Sequence, residues 1–465
     1  MTNKDTKERF QVVADKMRSE AVPEIAIANF ENHYQQLLDG STGFIPESSI
    51  KAIDELANAD DLDQKYEEKG NRALPNTVLL KLNGGLGTSM GLDRAKSLIT
   101  VKGNYSFLDI IAQHAIHSKV HLLLMNSFST REDSQKVLRN YPALKNAKLA
   151  LDFIQHKVPK IRQFDLSPAT CQSEQLEWCP PGHGDIYIAM VSSGMLENLL
   201  RANYRYALIS NSDNLGAVLE TRLLGFMIEQ QLPFLMEVTD RTEADKKGGH
   251  LARTQDDRLI LREAAQCTDE DRNEFEDIAK HRYFNTNNLW IDLQKLHNTL
   301  EENSNILNLP LIRNSKTIDP KDLHSDPVYQ LETAMGSAIS VFKGAQAIRV
   351  PRTRFAPVKT TNDLLLVRSD VFHLSENYTL SSKLALSDMP LITLDNNFYQ
   401  MIEAFESRFP HGPLSLIDCQ SLEVEGDIIF GKNITIKGKV RLQNNSGKQI
   451  RIPSGTSIDK DINWS

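Results

Sequence analysis

The chain has 465 residues, 53 basic against 61 acidic for a net charge of −8, with 40% hydrophobic and 25% charged residues, the make-up of an ordinary globular protein long enough for about two to four domains. The acidic balance argues against a nucleic-acid partner or an anionic membrane surface, so any phosphate chemistry has to be local. No apolar run approaches the roughly 18 residues of a membrane span, the charged N-terminus lacks a secretion signal's apolar core, and Cys171, Cys179, Cys267 and Cys419 have no CxxC spacing, which predicts a cytoplasmic protein with reduced, structural thiols.

Residues 1–72 are rich in charge, with Phe10, Val13, Met17, Ile27 and Phe30 at helical spacings, and read as an N-terminal helical segment. A break at Pro75 opens a different rhythm. Runs 78–82, 121–125, 149–154, 206–210 and 234–238 suit buried strands, and 107–117 and 218–230 suit helices between them. This alternation predicts a doubly wound, mostly parallel α/β domain over residues 73–410, of the kind that binds ligands beyond the carboxyl ends of its strands.

The first of these strands runs into Leu82, Asn83, Gly84, Gly85, Leu86 and Gly87, with Gly91 and Lys96 beyond. Glycines let the backbone approach a polyanion and leave N–H groups free to cradle phosphate oxygens. The spacing fits neither the dinucleotide fingerprint nor the P-loop, and a ligand-free turn has the same letters. His114, His117 and His121 have a metal-like spacing but straddle a helix end and a strand start without an acidic partner, so they read as structural. Pro180, Pro181, Gly182, His183, Gly184 and Asp185 describe a loop that could lie against a flat base or sugar, or a plain tight turn. Asp213, in the turn that closes the strand 206–210, is placed to hold Mg²⁺ or simply to form the turn. Lys359, between Val358 and the pair Thr360, Thr361, is either a phosphate ligand or a lysine snorkelling from a strand edge.

Beyond residue 411 the period changes. Leu422, Ile428, Ile434 and Val440 fall at steps of six, as do Val424, Phe430, Ile436 and Leu442, with glycines between, and the phase slips after Leu442. Such a repeat predicts a parallel β-helix over residues 411–465 rather than an antiparallel meander.

Taken in order, LKLNGGLGTSMG, AKSLITVKGNYSFLDI, LLLMNSFSTREDS, PPGHGDIY, ISNSDNLGA, MEVTDRTEADKKGGHL, YFNTNNLWI, QLETAMGSAI, PRTRFAPVKTTNDLLL and GDIIFGKNITIKG resemble the UTP–glucose-1-phosphate uridylyltransferases, the eukaryotic-type UDP-glucose pyrophosphorylases. The resemblance implies a Rossmann-like, glycosyltransferase-A-like nucleotidyltransferase domain and a left-handed β-helix. It implies that Leu82, Asn83, Gly84 and Gly85 hold the ribose and phosphates of UTP with backbone groups, and that Lys96 binds the β- and γ-phosphates. It puts Gln155 and Gly182 on the uracil, His183 near the sugar phosphate, Mg²⁺ on Asp213, and Asn211 together with Asp213 among the substrate-binding residues. Glu237, Gly248, Gly249, Asn287 and Asn288 would line the sugar pocket, with Asn288 the preferred hydroxyl contact, and Lys359 would lie on the α-phosphate. The family usually has Pro before the first lysine; here Ala95 stands there, which predicts a less preorganised loop.

The activity implied is attack of glucose 1-phosphate on the α-phosphorus of UTP, giving UDP-glucose and pyrophosphate, with no general base needed. Another sugar 1-phosphate as acceptor, and a non-catalytic nucleotide-sugar-binding regulator, are the alternatives. An open β-helix end invites pairing, but the chain stops soon after the last rung, so a monomer or weak dimer is expected.

Overall fold

The structure is a computed structural model that describes residues 3–144 and 149–465; residues 1 and 2 of the expected helical segment lie outside the described ones. The central sheet runs through β1 (Ala57–Asn58), β2 (Thr77–Asn83), β3 (His121–Asn126), β4 (Asp152–Ile154), β5 (Tyr206–Asn211), β6 (Phe234–Asp240), β7 (Tyr283–Asp292) and β8 (Gln346–Arg349). Their order across the sheet is β1-β8-β6-β7-β5-β2-β3-β4. Every pairing is parallel except those of β7, which runs against β5 and β6.

The strands are apolar at successive positions because both faces are covered. Leu79, Leu122, Leu124 and Leu208 pack with Ile111, Leu223 and Leu365 on one face. Val78, Leu80, Leu123 and Ile209 pack with Phe30, Ile188, Leu196 and Leu296 on the other. Each such burial stabilises the fold by about 1.5–3 kcal/mol. The helices foreseen at 107–117 and 218–230 are Phe107–His117 and Thr221–Glu229. The first is fixed by a capping box in which Ser106 and Asp109 bond each other's backbone N–H.

The N-terminal segment departs from expectation. Helices Asn3–Ser19, Glu24–Leu38 and Lys65–Ala73 are present, but β1 adds to the sheet edge and Ile50–Lys51 pairs with His250–Thr254. Phe10, Val13 and Phe30 share a core with β2, so a boundary at residue 72 does not separate two cores.

At the other end, Leu391–Leu394, Cys419–Glu425, Gly438–Asn444 and Ile462–Trp464 pair in parallel in that order. Ile428–Phe430 pairs in parallel with Ile450–Ile452, and Thr435–Ile436 with Ser457–Ile458. Leu422, Val424, Ile428, Phe430, Ile434, Ile436, Val440 and Leu442, the residues at six-residue steps, are all buried. The parallel stack starts at Leu391, ahead of residue 411. The four cysteines are free, and among the described residues no helix is long and apolar enough to cross a membrane.

Candidate functional site

The chain leaves β2 to form β3 and β4 on one side and returns to β5 on the other. Loops that follow β2 and β5 therefore diverge, and the crevice between them is where a doubly wound sheet takes its ligand. Asn83 closes β2 with a buried amide nitrogen that donates to Asn126 Oδ1 and Ser134 Oγ, both at 2.7 Å, so that nitrogen holds the scaffold. A Cβ on Gly84 would stand 2.8 Å from Gln155 Oε1, whereas one on Gly85 would meet nothing within 4 Å. The glycine loop thus lies directly against the residue expected on the uracil. It then turns back, with Leu86 bridged to Ala95 and the Lys96 N–H donating to the Gly85 carbonyl at 3.1 Å. Ala95 has φ −55°, within the range proline would impose, so the loop keeps the proline-like geometry without the ring.

Lys96 Nζ meets Asp213 Oδ2 at 2.6 Å, both side chains 18% exposed. The other carboxylate oxygen, Asp213 Oδ1, is buried with no hydrogen-bond partner among the described residues. The turn that carries Asp213 is pinned on two sides: the Ser212 N–H donates to Leu82 O at 3.1 Å, next to Asn211, and the Val358 N–H donates to Asp213 O at 3.2 Å. Lys359 is thereby brought to the same crevice. Its N–H and that of Thr360 both donate to Asp363 Oδ2 (2.9 and 2.8 Å), within a capping box that starts helix Thr361–Arg368. The Lys359 side chain is exposed and has no ion-pair partner among the described residues.

A group of three or more His, Cys, Asp or Glu side chains able to hold a metal is absent among the described residues. Mg²⁺ needs no such group, since it takes one or two carboxylates together with substrate phosphates and water. The unpartnered Asp213 Oδ1 fits that role.

Gly182 (φ +77°) and Gly184 let their loop press onto Thr333, where a Cβ would meet Thr333 O at 2.4 Å and Thr333 Oγ1 at 2.3 Å respectively. The Met335 N–H donates to His183 Nδ1 at 2.9 Å, and burial pushes that imidazole down to about 4. His183 is therefore neutral at pH 7, with its proton on Nε2. Asp185 accepts from the backbone N–H of His156 at 2.7 Å and bonds its ring at 2.8 Å, which fixes the residue next to Gln155.

The sugar-side residues divide. A Cβ on Gly248 would clash with the Phe284 ring at 2.1 Å, and one on Gly249 with Glu263 Oε2 at 2.5 Å, so both glycines are needed for close packing. Glu237 is fully buried: it accepts from Arg354 Nη2 (2.6 Å), Arg354 Nε (2.7 Å), Trp290 Nε1 (2.8 Å) and Asn288 Nδ2 (3.0 Å). Asn288 is fully buried too, and its Oδ1 accepts from Asn214 at 3.1 Å. These two form a structural hub and have no exposed polar atom for a sugar, contrary to the expectation from the sequence. Asn287 is different. Glu237 pairs with Asn288 but Val238 pairs with Asn285, and the resulting bulge lifts Asn287 out of the ladder at φ +57°, tied by the Asn285 amide at 2.8 Å.

Three further residues belong to this region without having been singled out. Glu263 lies against Gly249, and desolvation raises its carboxyl above the usual range despite Asn285 and Lys359 nearby. Lys81 is fully buried and donates to Ser210 Oγ (2.7 Å) and Ala217 O (3.0 Å), bracketing the Asp213 turn; burial pushes its ammonium down to about 7. A lysine inside an otherwise apolar strand was a legible signal. Arg354 had none. Because Arg354 is buried on Glu237, Glu237→Gln is expected to lower unfolding free energy by about 2 kcal/mol, the scale of a charged hydrogen bond. Urea denaturation measures it, and a loss below about 0.5 kcal/mol would contradict the hub.

Comparison with known proteins agrees along nearly the whole chain. A family model described as UTP–glucose-1-phosphate uridylyltransferase matches residues 27–437. The protein of that name from Pyrus pyrifolia is 40% identical over 406 residues, 85% of this chain and 84% of the relative. Its namesake from Saccharomyces cerevisiae is 36% identical over 463 residues, 96% and 91%. The crystal structure of a point mutant of UDP-glucose pyrophosphorylase from Leishmania major, in complex with UDP-glucose, superposes with a TM-score of 0.90 at 41% identity, covering 98% of this chain and 99% of that one.

Proposed function

The chain belongs to the UTP–glucose-1-phosphate uridylyltransferase family, and on that premise we propose that it transfers a uridylyl group from UTP to glucose 1-phosphate through the crevice described above. It is a nucleotidyltransferase whose products are UDP-glucose and pyrophosphate. An oxygen of the sugar phosphate attacks the α-phosphorus in line; the bond from that phosphorus to the bridging oxygen breaks, and pyrophosphate leaves. The nucleophile arrives ionised, so the protein's work is positioning and charge neutralisation.

In this reading the backbone of Leu82–Gly85 receives the nucleotide, Gln155 and Gly182 take the uracil, and the Nε2–H of His183 donates to the sugar phosphate. Lys96 neutralises the β- and γ-phosphates and Lys359 the α-phosphate. Asp213, with Asn211 beside it, holds Mg²⁺, which when bound supplies a further positive charge to the departing pyrophosphate. Gly249, Asn287 and Glu263 face the sugar, and Asn287 takes the hydroxyl role first assigned to Asn288. The observation that carries the reading is the Asp213 junction: one carboxylate oxygen on Lys96, the other free, and the peptide beside it tied to the Lys359 segment. The parallel ladders from Leu391 onward support a β-helix as the C-terminal unit, left-handed by the family resemblance alone, with the central sheet and the N-terminal elements packed on it as the catalytic unit. A monomer or weak dimer is the assembly proposed, and the free cysteines suit a cytoplasmic setting.

Pyrophosphate release from UTP and Mg²⁺ with a panel of sugar 1-phosphates tests the function. Glucose 1-phosphate is expected to exceed the 2-N-acetyl sugar in kcat/KM by about 10², with the 4-epimer a poor substrate. Equal values for glucose and N-acetylglucosamine would overturn the assignment of the sugar.

A further inference from the structure

The two catalytic lysines proposed above stand on segments far apart in sequence, and a clasp away from the crevice joins those segments. Six residues after Lys96, the Lys102 ammonium donates to the carbonyls of Val367 (3.3 Å), Arg368 (3.1 Å) and Ser369. These are carbonyls at the end of helix Thr361–Arg368, which lack partners within the helix and carry its negative dipole end. The tie is reciprocal. Arg368 Nε and Nη2 donate to Thr100 O at 2.9 and 2.7 Å, and Arg368 Nη2 also reaches Glu406 at 3.0 Å. The N-terminus of the same helix fixes the Lys359 peptide through Asp363, and the Val358 N–H returns to Asp213, which meets Lys96. The chain thus forms a closed ring: Lys96, Asp213, the 358–360 turn, the helix, and the strand Thr100–Lys102 that leads back to Lys96.

We propose that Lys102 is a positioning residue, which by binding the carbonyl end of helix Thr361–Arg368 sets where Lys359 stands relative to Lys96. The ammonium touches no substrate. It acts through the helix, whose rigidity carries the placement of its C-terminus to its N-terminus. Lysine suits the task because a point charge with three donors can serve three convergent carbonyls. The inference rests on the roles proposed for Lys96 and Lys359.

The test is steady-state kinetics with UTP, glucose 1-phosphate and Mg²⁺. The variants are Lys102→Met, which keeps the apolar stem, Lys102→Arg, Lys359→Ala and the double variant Lys102→Met/Lys359→Ala, each checked by circular dichroism. A misplacement well under 1 Å is expected to lower kcat about tenfold in Lys102→Met, with KM for UTP changed by less than about twofold. Lys102→Arg should recover most of the loss. If Lys102 acts through Lys359, the double variant should be no slower than Lys359→Ala alone, whereas independent effects would multiply. A folded Lys102→Met enzyme with wild-type kcat, or multiplicative losses in the double variant, would overturn the proposal while leaving the enzyme assignment intact. If Lys102→Met does not fold, Arg368→Lys, which loosens the reciprocal tie, must show the same tenfold kcat loss and the same non-additivity, or the clasp is not the device. A wild-type protein that releases no pyrophosphate would bring down the functional reading, and this proposal with it.

Discussion

Replacing Lys359 by Ala is expected to lower kcat by about 10²–10³ while leaving KM for UTP within a few-fold, the range seen when one preorganised charge-stabilising donor is removed. The structure anchors the backbone of Lys359 and leaves its head free. Its peptide N–H is fixed by Asp363 at 2.9 Å, its neighbour Val358 is bonded to Asp213, and its side chain is exposed. Such an arm can meet the negative charge that builds on the α-phosphate as the new bond forms. A contact that strengthens only in the transition state changes kcat; one already made in the bound substrate changes KM as well. Lys96 is of the second kind, since it leads out of the glycine loop and is held beside the carboxylate proposed for the metal. Lys96→Ala should therefore raise KM for UTP as well as slow turnover. Steady-state kinetics on both variants, with circular dichroism as the folding control, separates the two roles. A folded Lys359→Ala enzyme with near-normal kcat would remove this lysine from the mechanism and leave the stabilisation to Lys96 and the metal.

The parts of the site that local chemistry dictates were legible in the sequence. A run without alternation, 78–82, apolar but for Lys81, announces a strand covered on both faces, and the glycines after it announce a loop that something approaches closely. The six-residue series from Leu422 to Leu442 predicts its own burial, and every member is buried. What the sequence hid depends on contacts between distant segments. β7 contains Asn285, Thr286, Asn287 and Asn288, a composition that reads as a turn, yet it is the antiparallel strand between β5 and β6. Its bulge also decides which asparagine does what: because successive strand residues point to opposite faces, a shift in register exchanges the buried and the surfaced positions. Asn288 consequently joins Glu237 and Arg354 in the interior while Asn287 stands out of the ladder, only partly buried. No spacing rule could select between neighbours on that ground. Glu237 misled for a related reason: a carboxylate expected to face a sugar instead compensates a buried arginine 117 positions away.

For Asp213→Ala, kcat at millimolar Mg²⁺ is expected to fall by about 10³, equivalent to about 4 kcal/mol of transition-state stabilisation, and the Mg²⁺ concentration needed for half-maximal rate should rise steeply. The argument begins from a single oxygen. Asp213 Oδ2 is taken by Lys96 at 2.6 Å, but Oδ1 is buried and unpartnered among the described residues, an expense the fold would avoid by bonding or exposing it unless a ligand satisfies it. A divalent cation shared with phosphate oxygens does so and needs only this one carboxylate. Removing the carboxylate also releases Lys96, whose ammonium then loses its counter-charge. UTP alone should bind the variant about as well as the wild type, because the freed lysine attracts phosphate while the repelling carboxylate is gone. What should vanish is the coupling. In the wild type, Mg²⁺ is expected to tighten UTP binding, and in Asp213→Ala calorimetric titration with UTP should give nearly the same affinity with and without Mg²⁺. This readout needs no turnover, so it separates loss of the metal from loss of chemistry. A variant that keeps the wild-type Mg²⁺ dependence of UTP binding would take the metal off Asp213, and the unpartnered oxygen would then have to be explained by ordered water held between Asp213 and the Lys359 segment.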